Sequence, residues 1–544
     1  MSQRLTIGLC QINAGFSGAS YLPYSAGLLE AYARKSIPDI DRFEFLIPIF
    51  TRESINSAVE KLLPANVAGF SLYVWNNQLS LAIAKELKAR KPEITIVVGG
   101  PHVPDRYKSH IQNKQMPLAS TTDLSSARIE TYLKDHPFID IAVHGEGERP
   151  FSLLLQNISG DWRKIPSISY LDQNRCLIET ERLARINNLN EIPSPYLEGA
   201  FDPLMAAHSD INWITVWETN RGCPFSCTFC DWGSVIASKV YKWEVDRIYK
   251  EIDWFADHKV EFTFLADANF GILPRDIEIA KYCAEARKRT GYPTSITVSN
   301  TKNATDRSYE VQKIFSDAGL ASGASISMQS MDPTTLKDIK RDNISLDSYQ
   351  EIQQRMKLEG IASFTDIVLG LPSETYDSFT NGINQLIKNG LHDRIRFYNL
   401  TILPNAEMAN PDYQKRFGME TVCAKIINIH GTKKEIENDV PELENTVIAT
   451  ASMPRKDWIR ARAFSWTVGF LHFDKILQIP LVLMHELTGI SYRDLIEFFS
   501  EGNFGSPAEF PVLEKVRSFF ADKAQSLQEG HEEFCHSLEW LDMW

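Results

Sequence analysis

Basic residues are in short supply: 57 Lys and Arg stand against 70 Asp and Glu, a formal charge of −13 over 544 residues. A nucleic-acid surface needs a clustered excess of Lys and Arg. No domain-sized basic block exists, so nucleic acid is excluded as the default partner. Cysteine is sparse as well, with eight in all. Five of them (Cys10, Cys176, Cys283, Cys423 and Cys535) are scattered singly, which is no disulfide framework, and they are expected to be small buried hydrophobes. Long apolar runs are missing too. The longest uncharged stretch, Leu62 to Ala84, contains Pro64, Asn66, Gly69, Asn76 and Asn77, which hydrocarbon would reject. It reads as a strand, a polar loop and a helix start. The N-terminus runs straight into a strand without a cleavage signal, so a cytoplasmic protein with no membrane contact is expected. Repeats and low-complexity tracts are absent. What is present, 43% hydrophobic and 23% charged residues, is ordinary for a globular chain of about three or four domains.

The remaining three cysteines sit together in Arg221-Gly222-Cys223-Pro224-Phe225-Ser226-Cys227-Thr228-Phe229-Cys230-Asp231-Trp232. Regular secondary structure would point three thiolates apart, so a loop that gathers them implies a metal. A closed zinc site would want a fourth Cys or a nearby His, and His208 and His258 lie far along the chain. An iron–sulfur cube takes three cysteines and leaves one iron open. Phe229 and Trp232 are placed to screen such a cluster from water.

Downstream, strand and helix patterns alternate as in a parallel α/β barrel. Strands are expected at Ile214 to Thr219, Glu261 to Leu265, Ser295 to Val298, Ala324 to Met328, Phe364 to Leu369 and Arg396 to Ile402. Val245, Ile248, Ile252 and Phe255 form one apolar helix face after the cysteine loop. The C-x3-C-x2-C spacing, with an aromatic before the third cysteine, resembles the radical S-adenosylmethionine (SAM) superfamily. The resemblance implies a partial (β/α)6 barrel over 210–408, with chemistry at the carboxyl ends of its strands. It implies that Cys223, Cys227 and Cys230 hold a [4Fe-4S] cluster, that SAM binds the open iron, and that its reductive cleavage yields a 5′-deoxyadenosyl radical. By position, it implies SAM contacts from Phe229, Asp267, Ser327, Gln329, Arg341 and Leu403. Asp267 stands in Leu265-Ala266-Asp267 where the family often has Gly-Gly-Glu. Arg341 offers a fork of donors suited to the SAM carboxylate.

Residues 1–160 form a second α/β unit. Its strands, Leu5 to Cys10, Val67 to Tyr73, Ile94 to Val98 and Ile139 to Val143, stop in polar or glycine turns that let a backbone approach a cofactor at the sheet's carboxyl edge. These turns are Ser20-Tyr21-Leu22-Pro23, Gly99-Gly100-Pro101-His102 and His144-Gly145-Glu146-Gly147-Glu148. In this order ahead of the cysteine loop they resemble the Rossmann-like domain of cobalamin-dependent radical SAM enzymes. That resemblance implies cobalamin contacts from Ser20, Tyr21, Leu22, Ser71, Asn76, Gly99, Gly100, Pro101, Gly145, Glu146 and Gly147. No D-x-H-x-x-G motif exists, so cobalamin is expected base-off without a histidine ligand. His144 is expected to be a loop or core residue.

Residues 161–209 read as a proline-rich linker around a small hairpin, and 409–544 as a mainly helical domain. Within the latter, Lys433 to Glu444 reads as a solvated charged segment. Trp458, Trp466, Phe470 and Phe473 share a helix face that should pack on the barrel. The combined resemblance implies a methyltransferase that moves a methyl from SAM through cobalamin to an unactivated carbon of a small-molecule, natural-product or peptide substrate. An electron donor such as flavodoxin or ferredoxin is implied with it. The alternative in the same family is a non-methylating cyclisation or rearrangement. A methylthiotransferase would need three more upstream cysteines, whereas only Cys10 and Cys176 precede Cys223. A zinc-stabilised binding protein without catalysis is the remaining reading.

Overall fold

The computed structural model describes residues 4–533 except 14, 16–17, 106–117, 233–238, 301–305, 322, 427–438 and 503–507. Among the expectations above, Cys535 and part of the Lys433 to Glu444 segment lie outside these residues. The fold is α/β, with parallel and mixed sheets covered by helices.

Chain order begins with β1 (Leu5–Asn13), β2 (Ser20–Tyr21), β3 (Phe43–Phe45), β4 (Ile49–Thr51), β5 (Val67–Ser71), β6 (Thr95–Gly99), β7 (Ile141–Val143), β8 (Ile168–Leu171) and β9 (Leu177–Glu179). All but β2 join one eight-stranded sheet in the order β3-β1-β5-β6-β7-β8-β9, with β4 also on β1. The pairs from β3 to β7 are parallel. Their runs are apolar on both faces because helices cover both; Ile7, Leu9, Cys10 and Ile12 of β1 are all at most 3% exposed. The hairpin β8–β9 is antiparallel to β7, so the small hairpin expected in the linker instead extends the first sheet. The strand at Ile139 to Val143 is shorter than expected, since Asp140 turns its carboxylate to the Ile96 amide (2.7 Å) and to Lys88 (2.8 Å).

The segment after Asp210 adds β10 (Trp213–Trp217), β11 (Asn220–Arg221), β12 (Tyr241–Lys242), β13 (Phe262–Phe270), β14 (Ser295–Asn300), β15 (Gly323–Ser325), β16 (Ala362–Leu369) and β17 (Arg394–Asn399). All six expected strands exist, as two parallel arcs, β14-β13-β10 and β15-β16-β17. Asn300 spans the seam between them by donating from Nδ2 to the Ser325 carbonyl at 2.9 Å. Strand β15 stops short of the expected Met328. Arg341 takes the Ser327 carbonyl, and Gln329 turns to φ 64° before bridging Ile367. A surprise lies at the other edge. Strand β2 leaves the first unit and pairs in parallel with β10, Ser20 against Trp213 and Tyr21 against Ile214.

The last quarter is not purely helical, because β18 (Glu420–Lys425) and β19 (Leu443–Ala449) form an antiparallel hairpin. Trp458 is fully buried with Leu369 and Phe379 in the largest core cluster, which also holds Phe473. Trp466 and Phe470 meet Phe520 at ring separations of 6.0 and 6.2 Å. Packing is thus what this aromatic set does. The expected solvation of the charged segment fails at Glu442, which is 6% exposed. Its carboxylate accepts from the Gln78 and Leu79 amides at 2.7 and 3.0 Å, at the start of the helix Asn77–Arg90. Arg52 pairs with it at 3.2 Å. An anion is favoured at a helix N-terminus, where amides lack partners. Two lone cysteines also depart from expectation, since Cys176 and Cys423 are exposed. Among the described residues no single helix is long and apolar enough to cross a membrane; one bent pair, Arg455–Phe473 with Gln478–Thr488, passes on length and composition.

Candidate functional site

The cysteine loop starts where β10 ends. Asp267, on β13, is fully buried and accepts four hydrogen bonds from that start. Its Oδ1 takes the Thr219 and Asn220 amides at 2.7 and 3.1 Å. Its Oδ2 takes the Asn220 side chain at 2.6 Å and the Thr219 hydroxyl. Burial pushes this carboxyl up to about 7 against the pull of those donors. Arg275 adds a bond from Nη2 to the Thr219 carbonyl at 2.6 Å. At φ 142°, Gly222 lies so close to the neighbouring chain that a Cβ would sit 2.4 Å from the Lys239 carbonyl oxygen. Only glycine can occupy this corner.

Beyond it, Cys223 and Cys227 are buried and Cys230 is half-buried. Asn269 donates from Nδ2 to the Cys223 sulfur at 3.2 Å, and its Oδ1 is buried without a hydrogen-bond partner. Thr228 pins the far half of the loop. Its amide donates to the Ile339 carbonyl at 3.1 Å, and its carbonyl accepts from the Met408 amide at 3.0 Å. Phe229 packs, partly buried, against the core cluster that contains Ile339, Val368 and Met408. Trp232 is 38% exposed, so it screens less than expected. Among the described residues no three His, Cys, Asp or Glu side chains close around one point as a single ion requires. An all-sulfur trio suits an iron–sulfide cube, which takes three cysteines and leaves one iron open, better than a closed zinc site, which wants a fourth ligand. The orphan Asn269 oxygen is a polar group left for something that enters beside it.

Near these thiols the other expected SAM residues fall into two groups. Arg341 is brought in: it is 5% exposed and faces both Cys227 and Cys230. Burial lowers its pKa while Cys227 raises it. Its Nε donates to Asn343 Oδ1 at 2.8 Å. Gln329 and Leu403 are half-buried at the ends of β15 and β17. Two residues are hydrogen-bonded within the protein. The Asp267 carboxylate holds the loop start through the four bonds above, a role that its position in the sequence did not suggest. The Ser327 hydroxyl donates to Asp366, which Arg396 also holds at 2.6 Å. Asn269 was the residue missed here. Its signal was the alternation along β13, which puts it on the face shared with Asp267.

The expected cobalamin residues lie on β2 and, at the carboxyl edge of the first sheet, at the ends of β5, β6 and β7. Ser20, Tyr21 and Leu22 form β2 and its exit, and Leu22 is fully buried. The Ser71 hydroxyl lies 3.3 Å from that of Ser25. Asn76 is fully buried. It donates to the Ile12 and Ser71 carbonyls at 2.9 and 3.0 Å and accepts from the Tyr73 amide at 2.8 Å. Its side chain braces the edge through these three bonds. Gly99 lies beside Val143, while Gly100 (φ 104°) would put a Cβ 2.6 Å from the Leu72 carbonyl oxygen. Gly145 (φ 72°) has no neighbour within 4 Å of its missing Cβ, and Gly147 meets only Leu29. Glu146 accepts from the Ile186 amide at 2.7 Å. His144 donates or accepts at Ser169 Oγ (2.9 Å), buried at 3% exposure, as a core histidine does. Asn405, also missed, ties this edge to the end of β17 by donating to the Pro101 and Val103 carbonyls, both at 2.8 Å. Next to it a cavity of about 160 Å³ is lined by Val74, Gln78, His102, Ile402, Pro404 and Leu443. Burial pushes His102 down to about 4, which keeps its imidazole neutral. Gly145, with nothing within 4 Å of its missing Cβ, leaves the backbone of that turn open to approach.

Residues 217–386 match the model of the radical SAM superfamily. A cobalamin-dependent radical SAM methyltransferase of Streptomyces tokunonensis, TokK, is 36% identical over 499 residues, covering 91% of this chain and 69% of that protein. This chain belongs to the cobalamin-dependent radical SAM methyltransferases. A second relative, the 2-(S-pantetheinyl)-carbapenam-3-carboxylate methyltransferase of Streptantibioticus cattleyicolor, is 36% identical over 89% of this chain and 68% of its own. Among solved structures, TsrM of Kitasatospora setae with cobalamin and a [4Fe-4S] cluster bound superposes with a TM-score of 0.59. It is 12% identical, over 86% of this chain and 89% of that one. OxsB with aqua-cobalamin also gives 0.59, at 14% identity, over 97% and 72%. These two show a shared fold. As a member of this methyltransferase family the protein is an enzyme that uses an iron–sulfur cluster, SAM and cobalamin on a small-molecule substrate.

Proposed function

We propose that this enzyme methylates an unactivated carbon of a small bicyclic carboxylate of the carbapenam type, the substrate class that one relative carries in its name. The observation that carries the reading is the identity of 36% to that relative over 89% of the chain. When bound, the cluster would supply the electron that cleaves SAM, and cobalamin would carry the methyl group. Everything else falls to the chain's own residues.

Cys223, Cys227 and Cys230 hold the cluster, and Arg341 beside two of them receives the SAM carboxylate. Asn269, with its unpartnered oxygen next to Cys223, accepts from the SAM amino group in place of Asp267. Phe229, Ser327, Gln329 and Leu403 line the nucleoside end. Residues 1–160, with the hairpin to Glu179, form the cobalamin unit. In it Gly99, Gly100, Pro101, Gly145, Glu146 and Gly147 approach the corrin through backbone, and Ser20, Tyr21, Leu22 and Ser71 close its rim. Residues 210–408 form the partial barrel and 409–544 the cap. By linking the two edges, Asn405 would keep bound cofactors at a fixed separation, so that the cost of bringing them together would not recur at each turnover. The enzyme works in the cytoplasm, reduced by a flavodoxin or ferredoxin, without nucleic acid or membrane.

The test is anaerobic reconstitution with iron, sulfide and hydroxocobalamin, then incubation with methyl-labelled SAM, a reductant and 2-(S-pantetheinyl)-carbapenam-3-carboxylate. Label on a substrate carbon, with S-adenosylhomocysteine and 5′-deoxyadenosine formed alongside, is expected. Release of 5′-deoxyadenosine with the label found only in methionine and unreacted SAM would overturn the methylation of this substrate class.

A further inference from the structure

The loop Gly145–Glu148 and the root of the cysteine loop meet in one buried ion cluster. Arg221, two residues before Cys223, is its centre. Its Nη1 lies 2.7 Å from Glu148 Oε1 and 3.7 Å from Glu146 Oε1. Its Nη2 and Nε reach Glu218 Oε2 at 2.9 and 3.0 Å. The guanidinium sits 5.3 Å from the Trp243 ring centre. The side chains of Arg221, Glu148 and Glu146 are 9%, 6% and 10% exposed. The linker joins in, since Ile186 donates its amide to Glu146 and Arg185 donates from Nη2 to the Arg221 carbonyl at 3.3 Å.

Both ends of this connection are stiff where they meet the cluster and open where a ligand would come. Glu148 is the first residue of the helix Glu148–Gln156, so its carboxylate moves only with that helix start. Just before it, Gly145 faces open space. On the other side, Gly222 is wedged against Lys239 and Val240, and Cys223 follows at once. An exposed ion pair could release its partner into water at little cost. A buried one cannot, because the abandoned charge has no solvent. A shift of the 145–148 loop therefore has to be followed by Arg221 or resisted by it.

We propose that Arg221 is a positioning residue that couples the two cofactor sites, so that filling the corrin edge favours the loop geometry that holds the cluster, and the reverse. The coupling rests on the reading of 145–147 as corrin contacts and of Cys223 as a cluster ligand. Linkage makes the effect reciprocal. It gives the enzyme a way to keep the iron site ordered only when the methyl carrier is in place.

The experiment measures hydroxocobalamin affinity by equilibrium dialysis, under anaerobic conditions, on the full chain with its cluster and after chelator stripping. In the wild type the loaded form should bind about fivefold more tightly or better. Glu148→Gln, which removes one charge while Glu146 and Glu218 still balance Arg221, should bring that ratio close to one with its circular dichroism unchanged. Arg221→Lys, a charge without the fork, should retain part of it. A wild-type ratio of one, or a Glu148→Gln ratio equal to the wild type's, overturns the coupling alone. Absence of hydroxocobalamin binding in either form would instead strike the proposed function.

Discussion

Replacing Asp267 by Asn separates a clamp from a ligand contact. In the native protein both carboxylate oxygens face two donors each, four in all, drawn from Thr219 and Asn220. An amide keeps one oxygen and turns an NH2 group toward the other two donors. Each buried donor left unmatched costs about 1–3 kcal/mol, so the loss is about 2–6 kcal/mol before any relief. Relief exists, because the neutral amide escapes the desolvation that pushes this carboxyl up to about 7. The net loss should therefore lie near the lower bound, about 2 kcal/mol, enough to loosen the loop start without unfolding the chain. The assay is iron and sulfide content after anaerobic reconstitution, followed by SAM affinity in the fraction that keeps its cluster. We expect cluster content to fall severalfold and SAM affinity in the loaded fraction to stay within twofold. Full cluster content with SAM affinity reduced tenfold would refute the clamp and restore Asp267 as a SAM contact.

Cys227→Ala should abolish cluster assembly and 5′-deoxyadenosine formation while hydroxocobalamin binding stays near wild type; persisting 5′-deoxyadenosine would contradict the cluster assignment. Gly100→Ala should cost at least about 2 kcal/mol, from left-handed strain and a Cβ pressed against the Leu72 carbonyl, and should lose the corrinoid absorbance but keep the iron–sulfide bands. Burial of Glu374 raises its pKa from 4.5 to about 8. The folded state then keeps a proton that the unfolded state has lost, so stability falls as pH rises from about 4.5 to 8. Glu374→Gln should flatten that decline in denaturant midpoints taken at pH 5 and 8.5. Glu442→Ala should remove the acceptor at the start of the helix Asn77–Arg90 and strand Arg52, lowering stability by about 1–2 kcal/mol in a denaturant titration.

Local pattern carried the sequence reading where local forces decide. Three cysteines at tight spacing have few uses, and β-branched runs ending in glycine have few geometries, so the cofactor class and all six strands after Asp210 were legible. Position within a motif was less informative. Asp267 occupies the place of a ligand contact, yet its bonds go to a loop 48 residues earlier, and no window around it reveals where those amides point. Glu442 sits in a charged run, which argues for water. The helix start it caps is 364 residues away. The early end of β15 depends on Arg341 reaching back to Ser327, another contact with no local trace. Asn405 follows the last barrel strand with nothing in its neighbourhood to mark it, although its amide fastens two sheets together.

Strand β2 has a consequence for how such an enzyme can be divided. Ser20 and Tyr21 come from the front of the chain, between strands of the first sheet, but complete the edge of the sheet that starts at Trp213. Excising the front unit would strip β10 of its outer neighbour and bare a row of unpaired amides and carbonyls, an invitation to aggregate. Grafting the front of a relative onto this catalytic half would succeed only if the donor's first loop carried the same two-residue register. Exchange of parts in this lineage is therefore constrained at a seam near residue 20, far upstream of where a linker would suggest cutting.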